Sequence, residues 1–247
     1  MARYQIILAY DGTGFTGSQR QHAASRTVQG ELERALRKIG WDGRSILLAG
    51  RTDTGVHASG QVAAFDLAWT HGCGDLLKAL NANLPDDMAV RSVGQAAEKF
   101  HPRFDASARR YRYRLFCDPL RDPLRERYAW RLDRPLADLE PLAGIWPGRH
   151  DFAAFGSPPR PGGSTQRTVA FARWQHAGDE WTFEVQADAF LYRMVRRLVY
   201  VQVAVGQGRL DAADLVRALE TRERLPAGLA PAGGLTLVSV LYDRLES

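Results

Sequence analysis

The length and composition of the chain exclude several classes of protein. It has 247 residues and a net charge of +5, enough for one large domain or two smaller ones, and no apolar run reaches the roughly 18 residues of a membrane-spanning helix. Its two cysteines, Cys73 and Cys117, are too few for a disulfide framework and lack a metal-ligand spacing, so we interpret both as structural. The first ten residues begin a strand pattern rather than a signal peptide, so we expect a cytoplasmic protein.

The first half of the chain, residues 1–100, alternates between strand and helix patterns. Short alternating or apolar runs predict strands, and apolar residues at helical spacing between an N-cap at Thr27 and a stop at Gly40 predict a helix. The predicted order is strand Tyr4–Tyr10, helix Thr27–Gly40, strand Ile46–Ala49, strand Gln61–Leu67, helix Asp75–Ala82 and strand Met88–Val93. This β-α-β-β-α-β order favours a ferredoxin-like arrangement, with a mostly antiparallel sheet and helices on one face.

The second half, residues 101–247, is predicted to repeat this order after a boundary near Lys99–Arg103. Between its elements, the segment Ser157–Ser164 is too rich in Pro and Gly for regular structure. The predicted elements are strand Arg109–Phe116, helix Ala137–Trp146, a hairpin of Thr168–Gln175 and Trp181–Ala187, helix Phe190–Val205, a short helix from Asp211 and strand Leu235–Tyr242. The expected fold class is therefore α+β, with two tandem ferredoxin-like halves.

The first strand of the second half carries two kinds of side chain. Tyr111 lies on one predicted face, whereas Arg110, Arg112 and Arg114 lie on the other. Arginine presents a planar group that suits phosphates and unstacked bases. We therefore expect these three arginines to contact nucleic-acid phosphates, although many solvated surfaces are equally basic.

Asp53 is the candidate catalytic residue. It follows the predicted strand that ends at Ala49, and Gly55 shortly after it permits the backbone conformations of a tight turn. We therefore expect a loop that leaves the carboxylate accessible. Arg51, two residues away, is expected to keep this carboxylate ionised, which is the form that acts as a nucleophile or base. The alternative from spacing alone is a turn-forming aspartate beside a solvated arginine.

The segment Gly50–Ala58, with the sequence GRTDTGVHA, resembles the active-site signature of the tRNA pseudouridine synthase A family. The resemblance extends over nearly the whole chain. Further stretches similar to family motifs are Tyr10–Thr13 with Gly17 and Gln19, Thr27–Glu33, Phe100–Phe104, Arg110–Tyr113, Met194–Arg196, Gly234–Leu235 and Leu237–Val240. A signature of this length is far more specific than the spacing of Arg51 and Asp53.

The resemblance implies a reaction, a substrate and a set of site residues. It implies isomerisation of uridine to pseudouridine at positions 38, 39 and 40 of the tRNA anticodon stem-loop, by a homodimer without a cofactor or a metal. Asp53 matches the family's catalytic aspartate, Tyr111 its conserved tyrosine, and Arg196 the arginine that pairs with the aspartate. Judged without the family, the alternative for Tyr111 is a core strand aromatic, and a lone helix arginine such as Arg196 is more often solvated. Arg51 could occupy the space that a flipped uridine vacates.

Three positions depart from the family pattern. Ser18 stands where the family usually has Trp, Val199–Tyr200 where a Val-Gly pair is usual, and Thr236 where an aromatic is usual. None of these residues is a candidate catalytic group. We therefore expect the departures to affect packing or substrate preference and to leave the reaction type unchanged.

Two other functions are compatible with parts of the sequence. A non-catalytic RNA-binding protein with tandem RNA-recognition-like domains would use the basic and aromatic strand, but it would not explain Arg51 and Asp53. A retaining glycosidase needs two carboxylates about 5 Å apart, and no partner for Asp53 is evident. In a pseudouridine synthase, attack by Asp53 at C1′, attack at C6 and proton removal at C2′ are all chemically open to a carboxylate.

Overall fold

The computed structural model describes residues 1–21 and 25–243. The chain forms two compact units, Met1–Ser107 with Leu237–Ser247, and Ala108–Thr236. Each unit combines a sheet with helices, so the fold belongs to the α+β class. The end of the chain returns to the first unit, whereas the sequence pattern placed this segment with the second half.

The regular elements follow one another in a mixed order of strands and helices. The strands are β1 Ala2–Tyr10, β2 Leu47–Leu48, β3 His57–Leu67, β4 Met88–Gln95, β5 Ala106–Cys117, β6 Trp130–Leu132, β7 Gly148–Asp151, β8 Gln166–Ala177, β9 Glu180–Ala187 and β10 Leu235–Tyr242. The helices are α1 Val28–Lys38, α2 Cys73–Asn81, α3 Met194–Gly206 and α4 Ala212–Thr221. Short 3-10 helices occur at Gly12–Gly14, Glu140–Ile145 and Ala232–Gly234.

The first unit is built on an antiparallel sheet with β1 at its centre. Strand β1 pairs with β4 on one side and with β3 on the other, so that Tyr4 lies opposite both Gln95 and Phe65. The short β2 pairs with β3, and β10 also lies beside β3. Helix α1 begins at the predicted N-cap, where the Thr27 hydroxyl accepts the Gly30 N–H at 3.2 Å. The strands and helices predicted for residues 1–100 are all present, although β2 has only two residues.

The second unit is built on the sheet order β5-β9-β8-β7. These neighbours are antiparallel, and β6 adds a short parallel pairing on β5. The large side chains of Tyr113, Trp146 and Phe183 are fully buried in this unit. Because such side chains each remove a large apolar area from water, they form the main part of its hydrophobic core.

Two helices of the second half differ from their predicted extents. The predicted helix Ala137–Trp146 is reduced to the 3-10 helix Glu140–Ile145, because Pro141 enters its first turn and Gly144 weakens its end. Helix α3 was predicted from Phe190 but starts at Met194. The residue before it, Arg193, has a φ of 63°, which lies outside the helical region. Strands β6 and β7 were not predicted, since runs of three or four residues carry too little periodicity.

The polar face of the second sheet contains a row of arginines that already have partners. Three of the four arginines of β5 donate hydrogen bonds to an acceptor on β9: Arg110 to Gln186, Arg112 to Glu184 and Arg114 to Glu180, at distances of 2.7 to 3.1 Å. These three side chains therefore join strands within the sheet. Their interpretation as phosphate contacts stays a prediction.

Glu184 is the buried acceptor in this row. It is 3% exposed and lies opposite both Arg112 on β5 and Arg173 on β8, which each form an ion pair with it. Burial alone would raise the pKa of the Glu184 carboxyl, but the hydrogen bonds from the two arginines outweigh burial and hold this pKa below its usual value. The carboxylate thus crosslinks three adjacent strands.

We expect Glu184→Gln to lower the free energy of unfolding at pH 7 by about 1 to 3 kcal/mol, because it removes hydrogen bonds to a buried charge. The lowered pKa of Glu184 means that its contribution is present above the unfolded pKa of about 4.3 and is lost as the pH falls through the folded pKa. The deficit of the variant should therefore shrink below about pH 4, as measured by urea unfolding. Glu220→Gln, at an exposed position of α4, is the matched control. An equal deficit at pH 7 and at pH 3 would contradict this account.

Candidate active site

Asp53 lies on the loop between β2 and β3, as the sequence predicted. It is half-buried, and its carbonyl accepts the Val56 N–H at 3.1 Å to close a turn. Gly55 within this turn has a φ of 79°, a conformation that residues with a Cβ adopt only with strain. The carboxylate is therefore carried by a tight turn that leads directly into the long strand β3.

A reciprocal pair of hydrogen bonds fixes the residue that precedes Asp53. The Thr52 N–H donates to the Ser18 hydroxyl at 2.8 Å, and the Ser18 N–H donates to the Thr52 carbonyl at 3.1 Å. Ser18 is fully buried and Thr52 is 7% exposed, so water cannot substitute for these bonds at low cost. The backbone on the N-terminal side of Asp53 is held from two directions.

Two further buried side chains hold the start of the same loop. The Tyr10 hydroxyl forms a 2.8 Å hydrogen bond with the Thr52 hydroxyl. Burial raises the pKa of Tyr10 to about 12, and its hydrogen bonds with Thr52 and Gln61 only partly offset this, so the phenol is neutral. The Gln61 side chain accepts the Gly50 N–H at 3.2 Å and donates to the Gly50 carbonyl at 2.9 Å. Neither residue was identified as part of the site from the sequence.

Two glycines allow the segment 11–18 to approach the Asp53 loop closely. A Cβ on Gly12 would lie 2.1 Å from the Val56 carbonyl oxygen, so no larger residue fits there. Gly17 has a φ of 89°, and a Cβ there would lie 3.0 Å from the Thr52 carbonyl oxygen. The Gly12 N–H also donates to Nδ1 of the buried His57 at 2.9 Å. The segments around Gly12 and Asp53 thus pack directly against each other.

Helix α1 in turn holds the segment that contacts the loop. The Val28 and Gln29 N–H groups at its first turn donate to the Gly17 and Ser18 carbonyls at 3.3 and 2.9 Å. Since the first N–H groups of a helix have no partner within the helix, these carbonyls satisfy them and anchor the segment. Ser18 therefore links the start of α1 to Thr52 and so to Asp53.

Arg51 does not form the ion pair that its spacing from Asp53 suggested. Its side chain is exposed, and within residues 1–21 and 25–243 it makes no hydrogen bond or ion pair. The two side chains therefore do not pair in the described part of the chain, and an effect of Arg51 on the Asp53 carboxylate stays a prediction. The reason is geometric: two residues of spacing in an irregular loop do not bring the side chains into contact.

Tyr111 lies on β5 of the second unit. It is 9% exposed, stands opposite Val185 of β9, and packs edge-on against the Phe190 ring with a centroid distance of 5.0 Å. An edge-to-face pair of this kind fixes the plane of the tyrosine ring. The ring is thus held by its neighbours, and Tyr111 has further interactions within the protein.

Arg196 lies in the first turn of α3 and is half-buried rather than solvated. Its Nε donates to the Ala230 carbonyl at 2.8 Å, and the Ala230 N–H donates to the Arg196 carbonyl at 3.2 Å. The neighbouring Tyr113 hydroxyl donates to the Pro231 carbonyl at 2.9 Å. Burial raises the pKa of Tyr113, and the nearby positive charge of Arg196 acts in the opposite direction. The guanidinium is therefore fixed by the backbone that precedes β10.

The four candidate residues fall into two groups. Arg51 and Asp53 share one loop of the first unit, whereas Tyr111 and Arg196 belong to the second unit. Among the residues that the structure describes, no group of three or more His, Cys, Asp or Glu side chains is placed to hold a metal ion. In the same described part of the chain, no helix has the length and apolar character needed to cross a membrane.

A family model described as tRNA pseudouridine synthase matches residues 6–105 and 144–243, which is most of the chain and includes all of the candidate residues except Tyr111. The chain belongs to this family. Curated relatives named tRNA pseudouridine synthase A agree: one from Chloroflexus aurantiacus is 43% identical over 98% of this chain and 89% of its own length. Those from Limosilactobacillus fermentum and Brevibacillus brevis are 40% and 39% identical over 98% of this chain, and over 97% and 100% of their own lengths.

One solved structure, the Cbf5-Nop10-Gar1 complex, contains a chain that matches 81% of this one with 10% identity and a TM-score of 0.36. The match spans 44% of that chain. Membership of a tRNA pseudouridine synthase family, which the sequence relatives establish, leaves the non-catalytic RNA-binding alternative and the glycosidase alternative without support.

Within this tRNA pseudouridine synthase, two departures from the family pattern have structural consequences. Ser18, in place of the usual Trp, supplies the hydroxyl that holds Thr52 beside Asp53. The departure is therefore nearer to the candidate catalytic residue than the sequence suggested. Tyr200, in place of the usual Gly, packs so closely that a Cβ on Gly228 would lie 1.9 Å from its ring. For Thr236 the structure offers no explanation.

We expect Ser18→Ala to destabilise this tRNA pseudouridine synthase by about 1 to 3 kcal/mol, because it leaves the buried Thr52 N–H without its acceptor. The loss should appear in urea unfolding. Ser59→Ala is the matched control, since the Ser59 hydroxyl is exposed and its hydrogen bond to the Val238 carbonyl is long, at 3.4 Å. Equal stability of the Ser18 variant and the wild-type protein would show that the hydroxyl does not hold the loop.

Proposed function

We propose that the protein converts uridine to pseudouridine in tRNA, at positions 38, 39 and 40 of the anticodon stem-loop. The observation that carries the proposal is the Asp53 loop, a half-buried carboxylate whose flanking backbone is fixed through Thr52, Val56 and Gly50. Relatives 39 to 43% identical over nearly the whole chain bear the name tRNA pseudouridine synthase A. Preorganisation of this kind holds a catalytic group in its productive geometry.

The reaction is an isomerisation that needs no external reactant. The bond between N1 and C1′ of uridine breaks, the detached uracil rotates, and C5 bonds to C1′. The proton lost from C5 balances the proton gained at N1. Asp53 is the proposed catalytic group, acting at C1′, at C6 or on the C2′ proton, and a cofactor has no step to perform. The target uridine must first leave the base stack, at a cost of about a few kcal/mol.

We further propose roles for the two candidate residues of the second unit. Tyr111 stacks on uracil or relays the C5 proton, which is compatible with a ring held in plane by Phe190. Arg196 pairs with the Asp53 carboxylate. The Ala230 carbonyl accepts a hydrogen bond from Arg196 at the start of α3, so the guanidinium would already be held in place before the substrate binds.

We further propose that both halves of the chain have a ferredoxin-like fold. Residues 1–100 would carry the catalytic loop, and residues 101–247 would carry the basic and aromatic strand. In the first unit, the sheet order β4-β1-β3-β2 supports it. From the family resemblance we also propose that the enzyme acts as a cytoplasmic homodimer. A monomeric mass in sedimentation equilibrium at concentrations where the enzyme is active would contradict the dimer.

We expect Asp53→Asn to abolish pseudouridine formation while it leaves tRNA binding within about twofold of wild type, because an amide cannot act as nucleophile or base. Pseudouridine is measured by chemical labelling of a tRNA transcript, and binding by filter retention. Asp42→Asn, an exposed aspartate of the same unit, is the matched control and should keep full activity. Substantial turnover by the Asp53 variant would refute the assignment.

Arg51 is proposed to support the extruded uridine by filling the space it vacates, for which an exposed guanidinium without a partner in the described chain is well suited. Arg51→Ala should then lower the single-turnover rate at saturating tRNA far more than it weakens binding. Arg51→Lys should restore the charge but not the planar stacking surface, and so should recover little of the rate. A variant with an intact rate and a raised dissociation constant would identify Arg51 as an ordinary phosphate contact.

A further inference from the structure

A pocket of about 430 Å³ lies in the second unit at the N-terminal end of α3. It is formed by the segment 153–157, by the residues around the start of α3, and by the segment 224–229. Three of its lining residues, Arg193, Arg197 and Arg224, are arginines, and among the described residues that line it none is acidic. The charge of the pocket is therefore strongly positive.

Within residues 1–21 and 25–243, none of the three arginines has a carboxylate partner. Arg197 donates to the Gly228 and Leu225 carbonyls at 3.0 and 2.9 Å, and burial lowers its pKa, an effect that the nearby Tyr200 only partly offsets. The exposed side chains of Arg193 and Arg224 form no hydrogen bond or ion pair within the described residues. This differs from the sheet face, where Arg112 and Arg114 are paired with glutamates. The donors of Arg193 and Arg224 are therefore available to an external anion.

The backbone around Arg193 is held in a strained conformation. Arg193 has a φ of 63° and a ψ of 7°, a left-handed conformation that costs a residue with a Cβ about 1 to 2 kcal/mol. The neighbouring Tyr192 N–H donates to the Ser157 carbonyl at 2.9 Å. Gly156 permits this approach, since a Cβ there would lie 2.7 Å from the Leu191 Cβ. The surroundings thus impose the strain, and such strain is commonly retained where it places a functional side chain.

We propose that this pocket binds a backbone phosphate of the tRNA substrate, at a subsite separate from the one that holds the reacting uridine. Arg193 and Arg224 supply the charge-assisted hydrogen bonds, and the N-terminus of the 13-residue helix α3 adds its favourable dipole. The Tyr192 ring, 52% exposed and 4.7 Å from the Arg193 guanidinium, provides an apolar edge for the adjoining ribose. The identity of the anion as RNA follows from the proposed function.

The test compares Arg193→Gln and Arg224→Gln with the wild-type protein in binding an unmodified tRNA transcript over a range of salt concentrations. Each variant should bind about tenfold more weakly, which is the loss of one charge-assisted hydrogen bond. The slope of log affinity against log salt should become shallower by about 0.7 to 0.9 per lost phosphate contact. Arg91→Gln removes the same charge from an exposed position on β4 and should change neither quantity. Arg193→Lys and Arg224→Lys should restore most of the slope.

A second measurement separates the subsite from the chemistry. At saturating tRNA, the single-turnover rate of the two Gln variants should equal that of wild type, because a contact to a phosphate that does not touch the reacting uridine contributes to binding and not to the breaking of the N1–C1′ bond. Wild-type affinity and salt slope in both variants, or an equal loss in Arg91→Gln, would overturn the subsite, as would a slowed rate with unchanged binding. If the wild-type protein made no pseudouridine, the proposed function would fail, and the binding data would still decide the subsite.

Discussion

The reciprocal hydrogen bonds between Ser18 and Thr52 are the contact on which the candidate catalytic loop depends. Asp53 follows Thr52 directly, so its backbone cannot move without breaking bonds that are buried from water. The carbonyl of Ser18 also accepts the Gln29 N–H of α1. The position of the loop is therefore set by a helix whose core side chains are fully buried. The loop is thereby tied to both the sheet and the helix by hydrogen bonds that are buried from water.

Most elements of the fold could be predicted because their sequences show a clear hydrophobic periodicity and are bounded by cap and turn residues. The N-cap at Thr27 and the alternation in β1 are local properties, and the structure reproduces them. The errors occurred where a contact distant in sequence decides the conformation. Helix α3 starts late because Tyr192 bonds to Ser157, 35 residues away in the sequence, and Arg193 then turns left-handed. No pattern around Phe190 contains that information.

The candidate site was predictable only in part, for the same reason. Asp53 could be found because a long local signature surrounds it. Ser18, Gln61 and Tyr10 could not, since each resembles an ordinary polar or aromatic residue until the fold brings it to the loop. The expected pairing of Arg51 with Asp53 failed because sequence spacing does not set side-chain direction in an irregular loop. Two charged residues that are close in sequence can be expected to share a loop, but their spacing alone does not show that their side chains form an ion pair.

The arginines show why net charge is a poor guide to where a nucleic acid binds. On the sheet face, Glu184 is shared by Arg112 and Arg173, and Glu180 pairs with Arg114, so much of the positive charge is neutralised within the fold. Such arginines would have to give up existing bonds before they could contact a phosphate. Arg51, Arg193 and Arg224 have no such bonds to lose in the described chain. An arginine that is already paired with a carboxylate contributes little to the positive potential that an anion meets at the surface. The arginines without an internal partner, rather than the net charge of the chain, therefore determine which surface attracts an anion.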